Sequence, residues 1–306
     1  MAARGAARME FFLFVPQIRT SFERLVSTAL AAEQAGFTGM VGMDHIEAPG
    51  SVGQDNFETT TVNTWIAART SRLKVGSLIT CDAFRHPAML AHHAVTLDHA
   101  SGGRFELGIG WGSWAPDFEK FGVEPDQPRD RVARLGETLE VLKLLWSGES
   151  VDYDGQFHKL RGAVLAPKPL GKIPILIGGS GPKTLALVRK HADWWNLDTR
   201  YADKFEGQAF EDLRAQIGSA RISVQQKVGH VASGATHEEV AEKAKRRFGR
   251  KGVLLGTGAE LVDHFAEMAS RGVERVYAWL SDYSTPGVLE QFGEEVIAPL
   301  NGGKRG

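Results

Sequence analysis

The sequence predicts a single (β/α)8 TIM barrel, and three observations support this prediction. Short apolar segments that are typical of buried strands alternate with amphipathic helices along the chain. Eight such strands follow one another, and no change of composition marks a boundary between domains. The first strand also runs into Pro16-Gln17-Ile18, whereas a doubly wound sheet would need a glycine-rich turn at that point.

The predicted strands share a short length and a high content of apolar residues, which suits strands that are buried on both faces. In chain order they cover residues 10–15, 38–43, 73–80, 104–109, 173–177, 193–197, 222–231 and 274–280. Residues 151–165 differ, because a Tyr-Asp-Gly-Gln turn separates two alternating segments, and they predict a β-hairpin inserted before the fifth strand.

The predicted helices are marked by their ends. Ser21 is a good N-cap and Gly36 a good C-terminal residue for the first helix. Pro87 and Pro182 suit the first turns of two later helices, and Ser101-Gly102-Gly103 closes one of them. The helices after the first cover residues 57–70, 87–100, 128–146, 182–191, 205–218, 236–248, 259–271 and 286–299.

Length and composition fit one domain over residues 1–306, with tails at 1–8 and 301–306 that we expect to be disordered. The net charge of -1 argues against a nucleic-acid or membrane-surface partner and favours a small-molecule substrate. The single cysteine, Cys81, excludes a disulfide framework and fits a cytoplasmic location. Neither a secretory signal nor an apolar span of about 20 residues is evident.

Active sites of TIM barrels lie at the carboxyl ends of the strands, so candidate residues are expected there. The second strand ends in Asp44-His45, a pair that can hydrogen-bond a ring edge and hold or move a proton. An ordinary strand-end turn is the alternative for such a pair. The fifth strand ends in Gly178-Gly179-Ser180-Gly181 before a helix, where backbone N–H groups can bind a phosphate. A plain glycine-rich loop is the alternative there.

The third and fourth strands end in further candidates. Gly110 and its neighbouring glycines leave room for a flat cofactor, and Trp111 and Trp114 can form the wall of a pocket or simply cover the barrel. Thr80 and Cys81 end the third strand, and a buried structural thiol is the favoured interpretation of Cys81. No metal site is expected, because the histidines at 86, 92, 93 and 99 lack zinc-like spacing.

Segments spread over most of the chain resemble the luciferase-like family of flavin- and deazaflavin-dependent oxidoreductases. Their order and spacing are more specific than any one of them. The matching segments are Phe37-Thr38-Gly39 with Asp44-His45, Phe84-Arg85-His86-Pro87, Leu97-Asp98, Ser101-Gly102-Gly103-Arg104, Leu107-Gly108-Ile109-Gly110, Phe118, Phe121-Gly122, Pro167-Lys168-Pro169, 175–179 and Ala192-Asp193-Trp194-Trp195-Asn196.

The resemblance implies an oxidoreductase that transfers a hydride between the deazaflavin coenzyme F420 and a small organic substrate. By position it implies that His45 and Asp44 are catalytic and that Asp44 also contacts the ring of the cofactor. It implies that Thr80, Cys81, Gly110 and Trp111 lie at the ring and that Gly178, Gly179, Ser180 and Gly181 hold the phosphate. It also implies a cis peptide bond at Thr80-Cys81, an insertion after the seventh strand and a homodimer.

The sequence departs from this family after the fourth strand, where many relatives have a glutamate. Here the chain reads Gly112-Ser113-Trp114-Ala115-Pro116-Asp117, and we judge Asp117 too far along to replace the missing acid. The proton donor is therefore left open. An FMN-dependent monooxygenase and a non-catalytic flavin-binding relative remain as alternatives. A barrel hydrolase with paired carboxylates is disfavoured, since only Asp44 and Asp198 lie at strand ends.

Overall fold

The strands of the central sheet pair in parallel and close on themselves. The computed structural model describes residues 8–47, 49–112, 114–123, 127–198, 207–249 and 251–302. Its strands are β1 (Glu10–Phe14), β2 (Gly39–Gly42), β3 (Lys74–Ser77), β4 (Thr80–Cys81), β5 (Phe105–Gly110), β6 (Val151–Asp154), β7 (Lys159–Ala163), β8 (Ile175–Gly178), β9 (Trp194–Asp198), β10 (Arg221–Val231), β11 (Val253–Thr257) and β12 (Val273–Leu280). The order β1-β2-β3-β5-β8-β9-β10-β12 returns to β1, so the predicted TIM barrel is confirmed.

Helices surround this barrel and begin and end close to the positions that their caps predict. They are α1 (Phe22–Gln34), α2 (Thr59–Arg69), α3 (Pro87–Ser101), α4 (Ala115–Phe121), α5 (Pro128–Trp146), α6 (Pro182–His191), α7 (Gly207–Arg214), α8 (His237–Phe248), α9 (Gly258–Ser270), α10 (Pro286–Phe292) and α11 (Ala298–Leu300). The Ser21 side chain accepts a hydrogen bond from the Arg24 N–H, and Gly102 ends α3 in the left-handed conformation. In the part of the chain that the structure describes, no helix could cross a membrane.

Two predicted elements need correction. The third strand is not continuous over 73–80, because β3 and β4 are separate and the peptide bond Leu78-Ile79 between them is cis. The resemblance implied a cis bond at Thr80-Cys81, but the cis bond lies two residues earlier in the chain. The last predicted helix is interrupted by a π-helical turn, Gly293–Ile297. Residues 205 and 206, the start of another predicted helix, lie outside the described residues.

Two insertions decorate the barrel. The predicted hairpin is confirmed, since β6 and β7 pair antiparallel. After β10, the seventh barrel strand, the chain forms α8 and then β11. This strand pairs in parallel with the carboxyl-terminal half of β10. This agrees with an insertion after strand seven, although the sequence pattern missed β11 itself, a run of only five residues followed directly by a helix.

Side chains of successive residues in β1 alternate between two cores. Phe11 and Leu13 of β1 pack outward against the helices, whereas Phe12 and Phe14 pack inside the barrel. At the amino ends of the strands, the buried guanidinium of Arg275 closes the interior by binding acidic groups of β1 and β5. The open space of the barrel therefore lies at the carboxyl ends.

Candidate active site

A cavity of about 320 Å³ opens at the carboxyl ends of the barrel strands. Every residue predicted for the site lines it except Gly181, which caps the amino end of α6 instead. The predicted residues that line it are Asp44, His45, Thr80, Cys81, Gly110, Trp111, Gly178, Gly179 and Ser180. The fold therefore brings these predicted residues together in one cavity. Its walls also include Asp117 and Phe118 of α4 and Gln225 of β10, which were not predicted.

The floor of the cavity is shaped by glycines that lie against Ile79. A Cβ atom at Gly110 would lie 2.3 Å from Cδ1 of Ile79, so a larger residue would have to displace this side chain. A Cβ atom at Gly178 would lie 3.5 Å from the same Ile79 atom. The Leu78-Ile79 peptide and these glycines thus leave a smooth surface on which a planar ring fits.

The loop after β8 has the features of an anion site. Gly179 has φ +118°, a conformation that side chains rarely adopt. The indole Nε1 of Trp195 donates a hydrogen bond to the Gly179 carbonyl at 2.8 Å and holds the loop in place. Gly181 is the N-cap residue of α6 and has no side chain, so the first-turn N–H groups of this helix receive no hydrogen bond from an N-cap side chain.

Trp111 and Trp114, from the segment after β5, form one wall of the cavity. Arg131 of α5 stacks on the ring of Trp111, with 5.0 Å between the guanidinium carbon and the ring centroid. Its Nη1 also donates to the Gly112 carbonyl at 2.7 Å. The packed helix α5 therefore fixes the position of this wall.

Asp44 is engaged on both carboxylate oxygens. Oδ2 accepts hydrogen bonds from the Cys81 N–H at 2.8 Å and from Nη1 of Arg85 at 2.5 Å, and Oδ1 accepts from Nη2 of Arg85 at 3.0 Å. The same guanidinium donates to Glu58 at 2.7 Å. Asp44 therefore anchors the backbone of β4 at the edge of the cavity, and its remaining lone pairs are the ones available to a ligand.

His45 faces a different carboxylate. Its Nδ1 lies 2.8 Å from Oδ2 of Asp117, whose Oδ1 accepts a hydrogen bond from the Glu47 N–H at 2.8 Å. Asp117 is 1% exposed, and the His45 side chain is 27% exposed. Within the described part of the chain, Nε2 of His45 has no hydrogen-bond partner.

We judged Asp117 too far along the sequence to replace the missing acid, yet the structure places its carboxylate against His45 in the wall of the cavity. The short helix α4 folds the chain back so that Asp117 reaches across to the segment after β2. A signal for this helix was present, since Pro116 lies in its first turn and Gly122 ends it in the left-handed conformation. Pro116 and Gly122 are therefore the residues from which this helix could have been predicted.

Cys81 has the environment of a structural thiol. Burial raises the pKa of its side chain to about 12, and the nearby carboxylates of Asp44 and Asp82 act in the same direction. A thiol that stays protonated at neutral pH is a poor nucleophile. Among the described residues there is also no group of three or more His, Cys, Asp or Glu side chains that could hold a metal ion.

Comparisons with known proteins identify relatives of this barrel. The family model described as luciferase-like monooxygenase matches residues 9–281. Over 207 residues the chain is 32% identical to a 5,10-methylenetetrahydromethanopterin reductase of Archaeoglobus fulgidus, covering 68% of this chain and 58% of the relative. Over 171 residues it is 32% identical to an F420-dependent glucose-6-phosphate dehydrogenase of Nocardia farcinica, covering 55% of this chain and 49% of the relative.

The matched segments thus span about half the length of these curated relatives. Among solved structures, an F420-dependent secondary alcohol dehydrogenase in complex with an F420-acetone adduct superimposes with a TM-score of 0.78 at 17% sequence identity, covering 96% of this chain and 99% of that one. This likeness shows a shared fold. Since the family model covers most of the sequence, the chain belongs to the luciferase-like monooxygenase family.

Proposed function

We propose that the protein is an F420-dependent oxidoreductase that transfers a hydride between F420 and an alcohol or carbonyl carbon of a small organic substrate. The observation that carries this proposal is His45, which lines a cavity with a glycine-containing floor. Its Nδ1 lies against Asp117, and its Nε2 has no hydrogen-bond partner among the described residues. The proposal is supported by relatives named as F420-dependent and by a reductase of a methanopterin substrate.

The residues of the cavity fit such a cofactor. A planar ring needs a smooth floor, and Gly110 and Gly178 provide one beside Ile79. A phosphate needs backbone donors and a positive helix end, which Gly179, Ser180 and the start of α6 provide. Bound F420 supplies the ring carbon that accepts or gives the hydride, while the protein supplies position and electrostatics.

His45 has the chemistry that such a transfer needs from the protein. When an alcohol carbon gives up a hydride, its hydroxyl proton must also leave, and Nε2 of His45 can accept this proton. In the direction of reduction the same nitrogen returns the proton to the carbonyl oxygen. Asp44 has a supporting role in this proposal, because Arg85 and the Cys81 N–H already occupy both of its oxygens.

The cofactor is tested by titrating the purified protein with F420 and with FMN while following tryptophan fluorescence. Trp111 and Trp114 line the cavity, so we expect F420 to quench their emission in a saturable way. Tight binding of FMN with no response to F420 would favour a monooxygenase instead. Binding of neither would contradict the proposal as a whole.

The role of His45 is tested with a panel of 2-propanol, glucose 6-phosphate and a reduced pterin, following the change in F420 absorbance. We expect His45→Ala to bind F420 normally and to lower kcat by roughly 10²–10⁴-fold on any substrate that turns over, which is the usual contribution of a proton-transfer group. Full activity of this variant would refute the assignment. Binding of F420 without turnover of any alcohol or carbonyl compound would favour a non-catalytic relative.

We also propose that two copies of the chain form a homodimer in the cytoplasm. The dimer is supported by large apolar side chains that lie exposed on three neighbouring outer helices, namely Leu30 of α1, Trp65 of α2 and Met89 of α3. The location is supported by the single cysteine, which is buried and unpaired.

A further inference from the structure

We propose that Asp117 is the positioning residue that fixes the proton of the His45 ring on Nδ1 and so leaves Nε2 as a proton acceptor toward the cavity. This inference rests on the proposed function, since it assigns the partner of the group that handles the substrate proton. Asp117 lies 72 residues from His45 in the sequence and is brought to it by α4.

The hydrogen bonds of Asp117 determine the proton position. The Glu47 N–H is a backbone group that can only donate, and it donates to Oδ1 of Asp117. A carboxylate only accepts, so the ring nitrogen that lies 2.8 Å from Oδ2 must carry a proton. In the neutral ring Nε2 is then unprotonated and presents its lone pair.

The surroundings hold this arrangement in one orientation. Asn56 donates a hydrogen bond to the His45 carbonyl at 2.7 Å, which fixes the backbone of the histidine. Lys120 of α4 also forms an ion pair with Glu47, but its side chain is 46% exposed, so this second link between the two segments contributes little to holding them. Because Asp117 is almost completely buried, its charge also acts on the ring with little screening by water.

The consequence for the reaction concerns proton transfer. In the oxidation of an alcohol, the C–H electron pair leaves as a hydride for F420 and the O–H proton passes to Nε2 of His45 as the C=O bond forms. The substrate is oxidised by two electrons and F420 is reduced. The imidazolium that results lies next to the Asp117 carboxylate, which stabilises its positive charge.

The variant Asp117→Asn tests this role with little change of shape. The amide has one acceptor oxygen where the carboxylate has two, and the Glu47 N–H requires an acceptor. The amide NH2 group then faces Nδ1 of His45 and drives the ring proton to Nε2. We expect the ring nitrogens of His45 to exchange their protonation in ¹⁵N NMR spectra of the free protein, and we expect kcat to fall roughly 10²–10³-fold.

Lys120→Met is the matched control, because it breaks the other link between the same two segments and leaves Asp117 in place. We expect this variant to keep the wild-type ring tautomer and to change kcat by less than about twofold. F420 should quench the tryptophan fluorescence of the wild type, of Asp117→Asn and of Lys120→Met at similar concentrations. Asp117→Glu, which restores a carboxylate, should recover the Nδ1-protonated ring.

Clear results would overturn the inference. One such result is a wild-type ring that is protonated on Nε2. Another is an Asp117→Asn protein whose tautomer and kcat are unchanged. A third is a loss of kcat in Lys120→Met as large as the loss in Asp117→Asn. The wild-type tautomer decides the matter even where Asp117→Asn does not fold. Because the NMR measurement uses the free protein, a wild type that fails to bind F420 would refute the proposed function while leaving this test of Asp117 intact.

Discussion

Two aspartates beside the cavity have separate partners, although the sequence places only one of them next to the histidine. Asp44 and His45 are neighbours in the chain, and we predicted that they act as a pair. In an extended backbone, however, successive side chains point to opposite sides. Asp44 therefore binds Arg85 and the Cys81 N–H, while His45 turns toward Asp117.

The limits of sequence reasoning are clear at these residues. Strand ends could be located from apolar runs, and a barrel brings the ends of parallel strands together, so Asp44, Thr80, Gly110 and Gly178 could be assigned to one site. Asp117 does not lie at a strand end. Its contact with His45 depends on where a short helix after the fourth strand packs, which local patterns do not specify.

Gly110→Ala provides a prediction at the scale of one methyl group. The added Cβ would lie 2.3 Å from Cδ1 of Ile79, so the isoleucine side chain must move from its place on the cavity floor. We expect the Kd for F420 to rise at least about tenfold. The free energy of unfolding should fall by only about 1 kcal/mol, the low end of the cost of overpacking, because the atom that must move is the end of a side chain. Fluorescence titration and urea unfolding measure the two effects.

The double variant Ile79→Ala/Gly110→Ala serves as the control for this prediction. It removes the atom with which the new methyl group collides, so F420 binding should recover toward the wild-type value. If the single variant binds F420 as tightly as the wild type, Gly110 is not part of the surface that receives the ring.

At the scale of elements, caps predicted the helices better than apolar patterns predicted the strands. α6 begins and ends at the predicted residues because Pro182 marks its first turn and the chain turns extended at Ala192. The break between β3 and β4 was missed because Leu78 and Ile79 continue the apolar run of the strand. Composition cannot show where a backbone stops pairing and resumes two residues later.

The two ends of α6 have different chemistry. Its amino end forms the anion-type loop of the cavity, and its carboxyl end buries His191. Neither ring nitrogen of His191 has a hydrogen-bond partner among the described residues. Burial lowers the pKa of His191 from 6.5 to about 4, a value that includes the smaller effect of the nearby ammonium groups of Lys143 and Lys190 in the same direction. This helix is therefore anchored by a histidine that must stay neutral.

We expect His191 to make the fold sensitive to mild acid. The unfolded chain takes up a proton near pH 6.5, whereas the folded chain does so only near pH 4. The stability contributed by the neutral ring is thus present above pH 6.5, is lost as the pH falls from 6.5 to 4, and changes no further below that. A depression of this size corresponds to roughly 3 kcal/mol.

Urea unfolding of the wild type and of His191→Leu at pH 7 and pH 4.5 measures this contribution. Other titrating groups act in both proteins, so the difference between them isolates His191. The wild type should lose more stability than the variant between the two pH values. An equal loss in both proteins would mean that His191 does not couple folding to pH.

At the scale of the whole molecule, the barrel is closed at one end and open at the other. Ion pairs among β1, β3, β5 and β12 fill the amino ends of the strands. Glycines and short side chains leave the carboxyl ends open, and all of the proposed chemistry lies there. This division separates stability from function, so a substitution at the closed end should change the first without changing the second.

Arg275 is the residue on which the closed end depends. It is completely buried, it binds Glu10 and Glu106, and it stacks on Trp194 at 3.7 Å from the ring centroid. Although burial alone raises the pKa of Glu106, the charge of Arg275 holds it below its usual value. Arg275→Met leaves a buried carboxylate without its main partner, and we expect the free energy of unfolding to fall by about 3–5 kcal/mol.

Two further proteins separate the charge from the packing. Arg221→Met removes an arginine that stacks on the same Trp194 but is 44% exposed, so its effect should stay below about 1 kcal/mol. Arg275→Met/Glu106→Met removes both buried charges and should recover most of the lost stability, because an apolar pair can replace a buried ion pair.

Each folded variant should bind F420 as the wild type does, since the cavity lies at the opposite end of the barrel. An Arg275→Met protein that unfolds at the same urea concentration as the wild type would show that the closed end is held by apolar packing alone.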